Sequence, residues 1–364
     1  MKSSVDEKIV VLEGSPKERG YVHGTQLKSQ ITEVIERWKY QLLQISGINP
    51  DKLIAEFMEN TNFLTAVKKW TPHLLEEVEG IADGAGIEFD AIFALQCGDE
   101  EWWYSEFVEQ QSRKHCSALG SFKDDQNPAL LAQTMDISSI FQGLEVLQYI
   151  KNQESSLKSF VLTFAGMIAL CGVNNRPVGI CCNSLVEDLK RSIDGLPVAF
   201  IVRAVLEQST LENAIEFIQT IKHASGQNYM MGDAKRVVSF ECSANKVVQY
   251  IPHAGAQRLY HTNHPLANDD FIIPSVKKVG GGTTHARFNY LEYRVNDSSK
   301  QITVENIKYI LSSHQAPICI HHNNRPGEGY TFGAVVYSLS TRPELYLAIG
   351  PPCSNKYEKL IFND

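Results

Sequence analysis

The spacing of apolar residues divides the chain into two parts with different periods. Over residues 15–94 apolar side chains recur every three to four positions, as in "ITEVIERWKYQLLQI", which predicts amphipathic helices. Ser15-Pro16 and Thr71-Pro72 are typical helix starts and support this interpretation. We therefore expect the first hundred residues to be mostly α-helical.

Beyond residue 115 the pattern changes to short β-rich runs separated by turn residues. Examples are "ALLAQTMDIS", "SFVLTFAGMIAL", "GICCNSL" and "RVVSFECS", and "YTFGAVVYSLSTRPELYLAIGPP" predicts a hairpin. Two helical stretches, "PVAFIVRAVLEQSTLENAIEFIQTI" and "TVENIKYILSSH", lie between groups of strands. Grouped strands with helices between them predict an α+β layered sandwich rather than an alternating parallel sheet.

Composition limits the functional classes. The 364 residues are 43% hydrophobic and 21% charged, with a net charge of −8, so nothing indicates a nucleic-acid partner. The sequence has no run of 18 consecutive apolar residues, so we expect no membrane-spanning helix. Eight cysteines without a recurring spacing favour reduced thiols and a cytoplasmic location.

One of these cysteines, Cys116 in "SRKHCSALGSF", lies at the boundary between the helical and β-rich parts. A free thiol titrates near pH ~8.5, so it needs a base to react at neutral pH. That base is either a neighbouring histidine or, at a chain terminus, the residue's own α-amine, with a pKa of about 7.7–8.0. The second arrangement requires removal of the chain before Cys116.

Six segments carry a resemblance to a known family. They are "GSPKERGYVHGTQLKSQI", "HCSALGS", "LLAQTMDIS", "GVNNRPVGICCNSL", "HTNHPL" and "THARFNYLE". In this order they resemble the acyl-coenzyme A:6-aminopenicillanate acyltransferase family of autoprocessing N-terminal-nucleophile (Ntn) cysteine hydrolases. That family is grouped with cysteine peptidases (C45) and related to choloylglycine hydrolases. The resemblance implies a four-layer αββα sandwich, with a helical propeptide region over residues 1–115 and a catalytic region over residues 116–364.

The resemblance also implies roles for five residues. Cys116 is the predicted nucleophile, and Asp136 the carboxylate beside it. Asn263 is the predicted oxyanion donor, and Asn174 matches the asparagine of the family's Gly-x-Asn hairpin. Arg287 is the predicted active-site arginine, which either lowers the pKa of the thiol or holds a substrate carboxylate.

The predicted cleavage site is the bond between His115 and Cys116. His115 departs from the family, whose precursors commonly have glycine before the nucleophile. A bulkier residue there either hinders the strained turn that self-cleavage needs or supplies an imidazole for proton transfer.

We expect neither a metal ion nor an organic cofactor. The histidine pairs His261/His264 and His321-His322 lack the accompanying ligand spacing of a zinc site. The implied partners are small molecules, either an N-acyl amide or an acyl thioester, and coenzyme A enters only as part of a substrate. The cleaved chains are expected to stay associated, and the sequence leaves open whether they form a homo-oligomer.

Three alternatives remain open at this point. The acyl group could be transferred to an acceptor or simply hydrolysed. The chain could instead be an unprocessed, catalytically silent relative that binds a ligand or partner. A papain-like enzyme using Cys116 and a downstream histidine lacks the expected residues around the cysteine.

Overall fold

A computed structural model describes residues 5–104, 116–152, 155–273, 280–297, 301–322 and 328–363, with only the backbone of residues 102 and 103. The predicted cleavage residue His115 therefore lies outside the described residues, whereas Cys116 lies within them.

Helices fill the N-terminal part of the described chain, as the apolar spacing predicted. Those before Cys116 are α1 Pro16–Gln26, α2 Lys28–Ser46, α3 Pro50–Asn60, α4 Phe63–Trp70, α5 Pro72–Ala85, α6 Phe89–Gln96 and α7 Gly98–Tyr104. The later helices are α8 Val198–Val205, α9 Leu211–Thr220, α10 Thr284–Val295 and α11 Val304–Leu311. The predicted start of the first helix is confirmed, because Ser15 and Glu18 form a reciprocal capping box.

The described strands form two sheets. In chain order they are β1 Ile9–Glu13, β2 Ser117–Ser121, β3 Ala129–Ser138, β4 Glu145–Lys151, β5 Lys158–Phe164, β6 Cys171–Asn174, β7 Gly179–Ser184, β8 Gln227–Gly232, β9 Val237–Cys242, β10 Val247–Gln249, β11 Arg258–His261, β12 Gly329–Leu339, β13 Glu344–Ile349 and β14 Glu358–Ile361. An eight-stranded sheet has the order β1-β4-β5-β6-β7-β8-β9-β10, and a six-stranded sheet has the order β11-β2-β3-β12-β13-β14. All their strand pairs are antiparallel except β1 with β4.

The sheets pack face to face with helices on both outer sides, which confirms the predicted α+β sandwich of four layers. Helices α10 and α11 cover the six-stranded sheet, where Leu291 and Ile307 pack with Leu119 and Val336. A second core lies between the eight-stranded sheet and the helices on its outer side, which are the N-terminal helices together with α8 and α9. It continues into the space between the two sheets. The nucleophile candidate, Cys116, lies immediately before β2, inside this layered core.

The N-terminal segment is joined closely to the rest of the fold. Its strand β1, which the sequence did not predict, pairs in parallel with β4 of the eight-stranded sheet. Residues on both sides of position 116 contribute to one continuous hydrophobic core. The predicted division at residue 116 thus separates two segments of one packed body.

Helices α1 and α5 approach each other so closely that only glycine fits between them. A Cβ added at Gly20 would lie 1.9 Å from the carbonyl oxygen of Glu77, and one at Gly80 would lie 2.3 Å from that of Lys17. Real Cβ contacts are never that short, so a larger side chain would push the two helices apart. Within the described residues, no helix is long and apolar enough to cross a membrane.

Candidate active site

Cys116 lies immediately before β2 and is buried, with 6% of its surface exposed. Its side chain is electrostatically coupled to Cys171 and Cys181, two thiols of the opposite sheet. Burial, with a contribution from Cys116, raises the pKa of Cys171 to about 12 and that of Cys181 well above its usual range. Cys116 therefore lies where the two sheets face each other, and Cys171 and Cys181 remain protonated, unreactive thiols.

Arg287 connects the predicted catalytic residues through its guanidinium group. One terminal nitrogen, Nη1, donates to the carbonyl oxygen of Cys116 at 2.6 Å and to Oγ of Ser117 at 3.0 Å. The other, Nη2, donates to Oδ1 of Asn263 at 2.9 Å, while Nε donates to Oγ1 of Thr283. Because Arg287 is fully buried, it is not a surface ion-pair residue; it fixes the backbone of Cys116 relative to Asn263.

Asp136 is a buried carboxyl group on β3 with one of its oxygens unsatisfied. Thr331 on β12 donates its hydroxyl to Oδ1 at 2.6 Å, whereas Oδ2 has no hydrogen-bond partner among the described residues. Burial raises the pKa of Asp136 to about 8, against the opposing effects of Thr331 and Arg287. In the uncleaved chain the raised pKa favours the protonated carboxyl group, and Oδ2 is the oxygen left for a further hydrogen bond among the described residues.

The register of the six-stranded sheet brings Asp136 near the start of β2. Ser117 pairs with Thr134 in the β2–β3 ladder, so one step further along the strands Cys116 comes opposite Met135. A new α-amine on Cys116 would thus form one residue from Asp136.

Asn263 follows β11 and is held through both ends of its amide. Its Nδ2 donates to the carbonyl oxygen of Ser184 at 3.1 Å, and its Oδ1 accepts the bond from Arg287. A side-chain amide has two N–H hydrogens, so one remains available for a substrate oxygen.

A second asparagine, Asn183 on β7, was not predicted from the sequence. Its Oδ1 accepts a bond from Asn228 at 3.1 Å, while its Nδ2 is buried without a partner among the described residues. Alternate residues of a strand point to the same face, so Asn183 faces the same side as Cys181, towards Cys116. The detectable signal was the polar amide of Asn183 directly after the apolar buried run "GICC".

Asn174 is not brought into this cluster. Its Nδ2 donates to the carbonyl oxygens of Leu206 and Gln208, and its Oδ1 accepts from the backbone N–H groups of Arg176 and Val178. The amide thus pins the β6–β7 hairpin to the end of α8, and these contacts give no support to a catalytic role. The structure brings together Cys116, Asp136, Asn263 and Arg287, but not Asn174.

The arrangement is a buried thiol with fixed amide donors and a buried carboxyl group, and such a set can stabilise a tetrahedral intermediate of acyl transfer. The sequence pattern described as "Acyl-coenzyme A:6-aminopenicillanic acid acyl-transferase" matches residues 123–343, more than half of the chain. The chain belongs to this acyl-transferase family. The matched range includes Asp136, Asn174, Asn263 and Arg287 and begins after Cys116.

Individual relatives are more distant. The chain is 28% identical over 264 residues to the acyl-coenzyme A:6-aminopenicillanic-acid-acyltransferase 40 kDa form of Emericella nidulans, which covers 71% of this chain and 70% of that protein. It is 24% identical over 227 residues to protein dcd1A of Dictyostelium discoideum, covering 55% and 49%, respectively.

Two solved structures show a partial similarity. One is the Caenorhabditis elegans N-acylethanolamine-hydrolyzing acid amidase ortholog, at 17% identity and a TM-score of 0.43, covering 61% of this chain and 92% of that chain. The other is a variant of the conjugated bile acid hydrolase of Clostridium perfringens, at 13% identity and a TM-score of 0.42, covering 68% and 97%. Similarity at this level carries no conclusion about activity.

Proposed function

We propose that this family member is an Ntn cysteine amidohydrolase or acyltransferase that forms an acyl-enzyme on Cys116. The observation that carries the proposal is the buried Arg287, which holds the carbonyl oxygen of Cys116 and the amide of Asn263 in one hydrogen-bond network. A thiol, an oxyanion donor and the group that fixes them are thereby preorganised before any substrate binds.

The first reaction is cleavage of the chain itself. Sγ of Cys116 attacks the carbonyl carbon of His115, the C–N bond breaks, and a thioester and the free α-amine of Cys116 result. Water then hydrolyses the thioester, which leaves the carboxylate of His115 and the thiol of Cys116. Segments 1–115 and 116–364 are the products.

The new α-amine then acts as the base. It takes the proton of the Cys116 thiol, the thiolate attacks the carbonyl of an N-acyl amide or acyl thioester, and the protonated amine returns the proton to the leaving group. The free oxygen of Asp136 supports this role, because Oδ2 can accept a bond from the amine and orient it.

The oxyanion that forms during each attack needs donors in a buried place. Asn263 supplies its second amide hydrogen, and Nδ2 of Asn183, which has no partner among the residues described, supplies another. Loss of one such donor typically costs about 10²–10³ in rate. Water or an amine finally releases the acyl group, so hydrolysis and transfer share the same machinery. The relative from Emericella nidulans is named for transfer from acyl-coenzyme A, which supports an acyl thioester as one substrate class.

The proposal includes a cytoplasmic location, since all eight cysteines are free thiols. The other function that the sequence left open is that of an unprocessed binding protein.

Intact-protein mass spectrometry distinguishes the two functions. Freshly purified wild type should give two fragments, the larger beginning Cys-Ser-Ala-Leu, whereas Cys116→Ala should remain at 40.8 kDa. The matched control is Cys242→Ala, a buried cysteine on β9, which should be cleaved like the wild type. Full-length wild type under all conditions would refute self-processing and favour the binding protein.

A further inference from the structure

A cluster of four metal-ligating side chains lies outside the candidate active site. His314, Cys319, His321 and Cys353 each place one ligand atom within 4.8 Å of the ligand atoms of the other three. Sγ of Cys319 lies 3.5 Å from Sγ of Cys353, and Nε2 of His321 lies 3.0 Å from the same Cys353 sulfur. The rings of His314 and His321 are neighbours, with centroids 5.4 Å apart.

The donor set is that of a closed tetrahedral site. Two thiolates and two imidazoles are the Cys₂His₂ set of structural zinc sites, and sulfur–nitrogen tetrahedra select zinc over magnesium or calcium. With zinc–sulfur bonds of about 2.3 Å, two thiolates on one tetrahedral ion lie roughly 3.8 Å apart. The observed sulfur–sulfur separation of 3.5 Å needs only a small adjustment to meet this. A disulfide between the cysteines would leave the convergence of two histidines unexplained.

The ligands come from two loops that are already joined. His314, Cys319 and His321 lie between α11 and β12, and Cys353 lies between β13 and β14. The hydroxyl of Ser312 donates to the carbonyl oxygen of Pro352 across the two loops. Three ligands are exposed, so an ion can enter from solvent, while Cys319 anchors the cluster in the fold.

We propose that His314, Cys319, His321 and Cys353 bind one zinc ion as a structural site. Four protein ligands leave no open position for a substrate, which separates this site from the chemistry at Cys116. Sequence analysis considered His321 only in the pair His321-His322 and expected no metal ion there, because the fourth ligand, Cys353, is 32 residues beyond His321.

The site is connected to the predicted catalytic carboxyl group through one short path. Ile320, between two of the ligands, exchanges backbone and side-chain hydrogen bonds with Thr331. Thr331 in turn donates to Asp136. Zinc would therefore stiffen the loop that positions Thr331, although the metal site itself does not depend on the proposed function.

The test is metal analysis of the full chain, purified with reductant in metal-free buffer and then supplied with zinc sulfate. We expect about one zinc per chain to remain after gel filtration. Cobalt chloride in place of zinc should give thiolate-to-cobalt charge-transfer absorption together with the visible bands of a tetrahedral site.

Variants locate the ion. Cys353→Ser and His314→Ala should each weaken zinc binding by roughly 100-fold, because each removes one of four ligands from a site of high total affinity. His253→Ala, an exposed histidine outside the cluster, is the matched control and should retain the zinc. Circular dichroism identifies any variant that fails to fold. If the variants do not fold, the cobalt spectrum of the wild type alone decides whether the two thiolates bind the metal.

Three results of these binding experiments would overturn the proposal. They are wild type without stoichiometric zinc, cluster variants that bind zinc as the control does, and a cobalt spectrum without thiolate charge transfer. A Cys319–Cys353 disulfide in protein purified under anaerobic conditions would overturn it as well.

Discussion

At the scale of single residues, the carboxyl group of Asp136 is held in an environment that disfavours its charge. It is buried, one of its oxygens has no partner within the part of the chain that the structure describes, and its pKa is raised to about 8. Cleavage before Cys116 would create an amine near this oxygen, and a positive charge there would lower the pKa again. The uncleaved chain therefore favours the neutral carboxyl group, whereas the amine formed by cleavage would favour the carboxylate.

This environment predicts how stability depends on pH. Unfolded Asp136 releases its proton near pH 3.8 and the folded residue near pH 8, so between these values the folded chain binds one more proton. The free energy of unfolding should consequently fall as pH rises through this window, by up to about 1.4 kcal/mol per pH unit from this residue. In a Cys116→Ala background, Asp136→Asn should remove this contribution. The stability of the Asp136→Asn protein relative to its parent should therefore increase as the pH rises towards 8.

Denaturant unfolding at several pH values between 5 and 8 measures the difference between the two proteins. Asp124→Asn is the control, because Asp124 caps an exposed turn and its pKa is lowered, so its carboxylate does not titrate in this window. A difference between parent and Asp136→Asn that stays constant with pH would contradict the raised pKa.

The asparagines illustrate what sequence can predict about a site. The motifs predicted Asp136, Asn263 and Arg287, which the structure brings together with Cys116. The Gly-x-Asn motif indicated Asn174, whose amide bonds to the backbone of its own hairpin and to carbonyl oxygens at the end of α8. A local pattern identifies a residue type, but the hydrogen bonds that separate Asn174 from Asn183 depend on strands distant in sequence.

At the scale of secondary-structure elements, strongly periodic segments were predicted best. The run "ALLAQTMDIS" coincides with β3, and the long N-terminal helices lie where the apolar spacing predicted them. The run over residues 159–170 ends as a strand at Phe164, because Gly166 turns the chain with a positive φ of 89°. Strand β1 was missed because its five residues are ordered by pairing with residues of β4 that are 138 positions away in sequence.

A buried charge cluster joins three helices that the sequence could not place relative to one another. The carboxylate of Glu77 on α5 accepts bonds from Arg19 on α1 and Arg203 on α8. Burial alone would raise the pKa of Glu77, but Arg203 and Arg19 hold it below its usual range. The cluster lies beside the glycine contact of α1 with α5, so two independent features fix this helix pair.

Glu77→Gln should therefore destabilise the protein strongly. The substitution leaves the buried guanidinium group of Arg19 without its counter-charge and that of Arg203 with Glu207 alone. Removing one partner of a buried ion pair typically costs about 3–5 kcal/mol. The control is Glu76→Gln, the exposed neighbour on the same helix, with an expected change within about 0.5 kcal/mol. Denaturant midpoints of the two variants in a Cys116→Ala background measure the comparison, and equal midpoints would show that the cluster contributes little.

At the scale of the whole molecule, the two segments on either side of the proposed cleavage site form one body. Strand β1 belongs to the eight-stranded sheet, and side chains of both segments fill the same core. Cleavage of one peptide bond removes none of these contacts. The association of the fragments is therefore expected to be as strong as the packing of a domain core.

This packing predicts that the fragments stay together after cleavage. Gel filtration of the cleaved protein should give one species that contains both fragments. The fragments should separate only when urea unfolds the protein. Leu12→Asp places a charge at a fully buried position of β1 and should release the N-terminal fragment at lower urea. Val11→Asp is the control on the same strand, since Val11 is 42% exposed, and it should behave as the wild type. If the N-terminal fragment is released from both variants at the same urea concentration, β1 does not hold the segments together. If the wild-type fragments separate without urea, the shared core itself is contradicted.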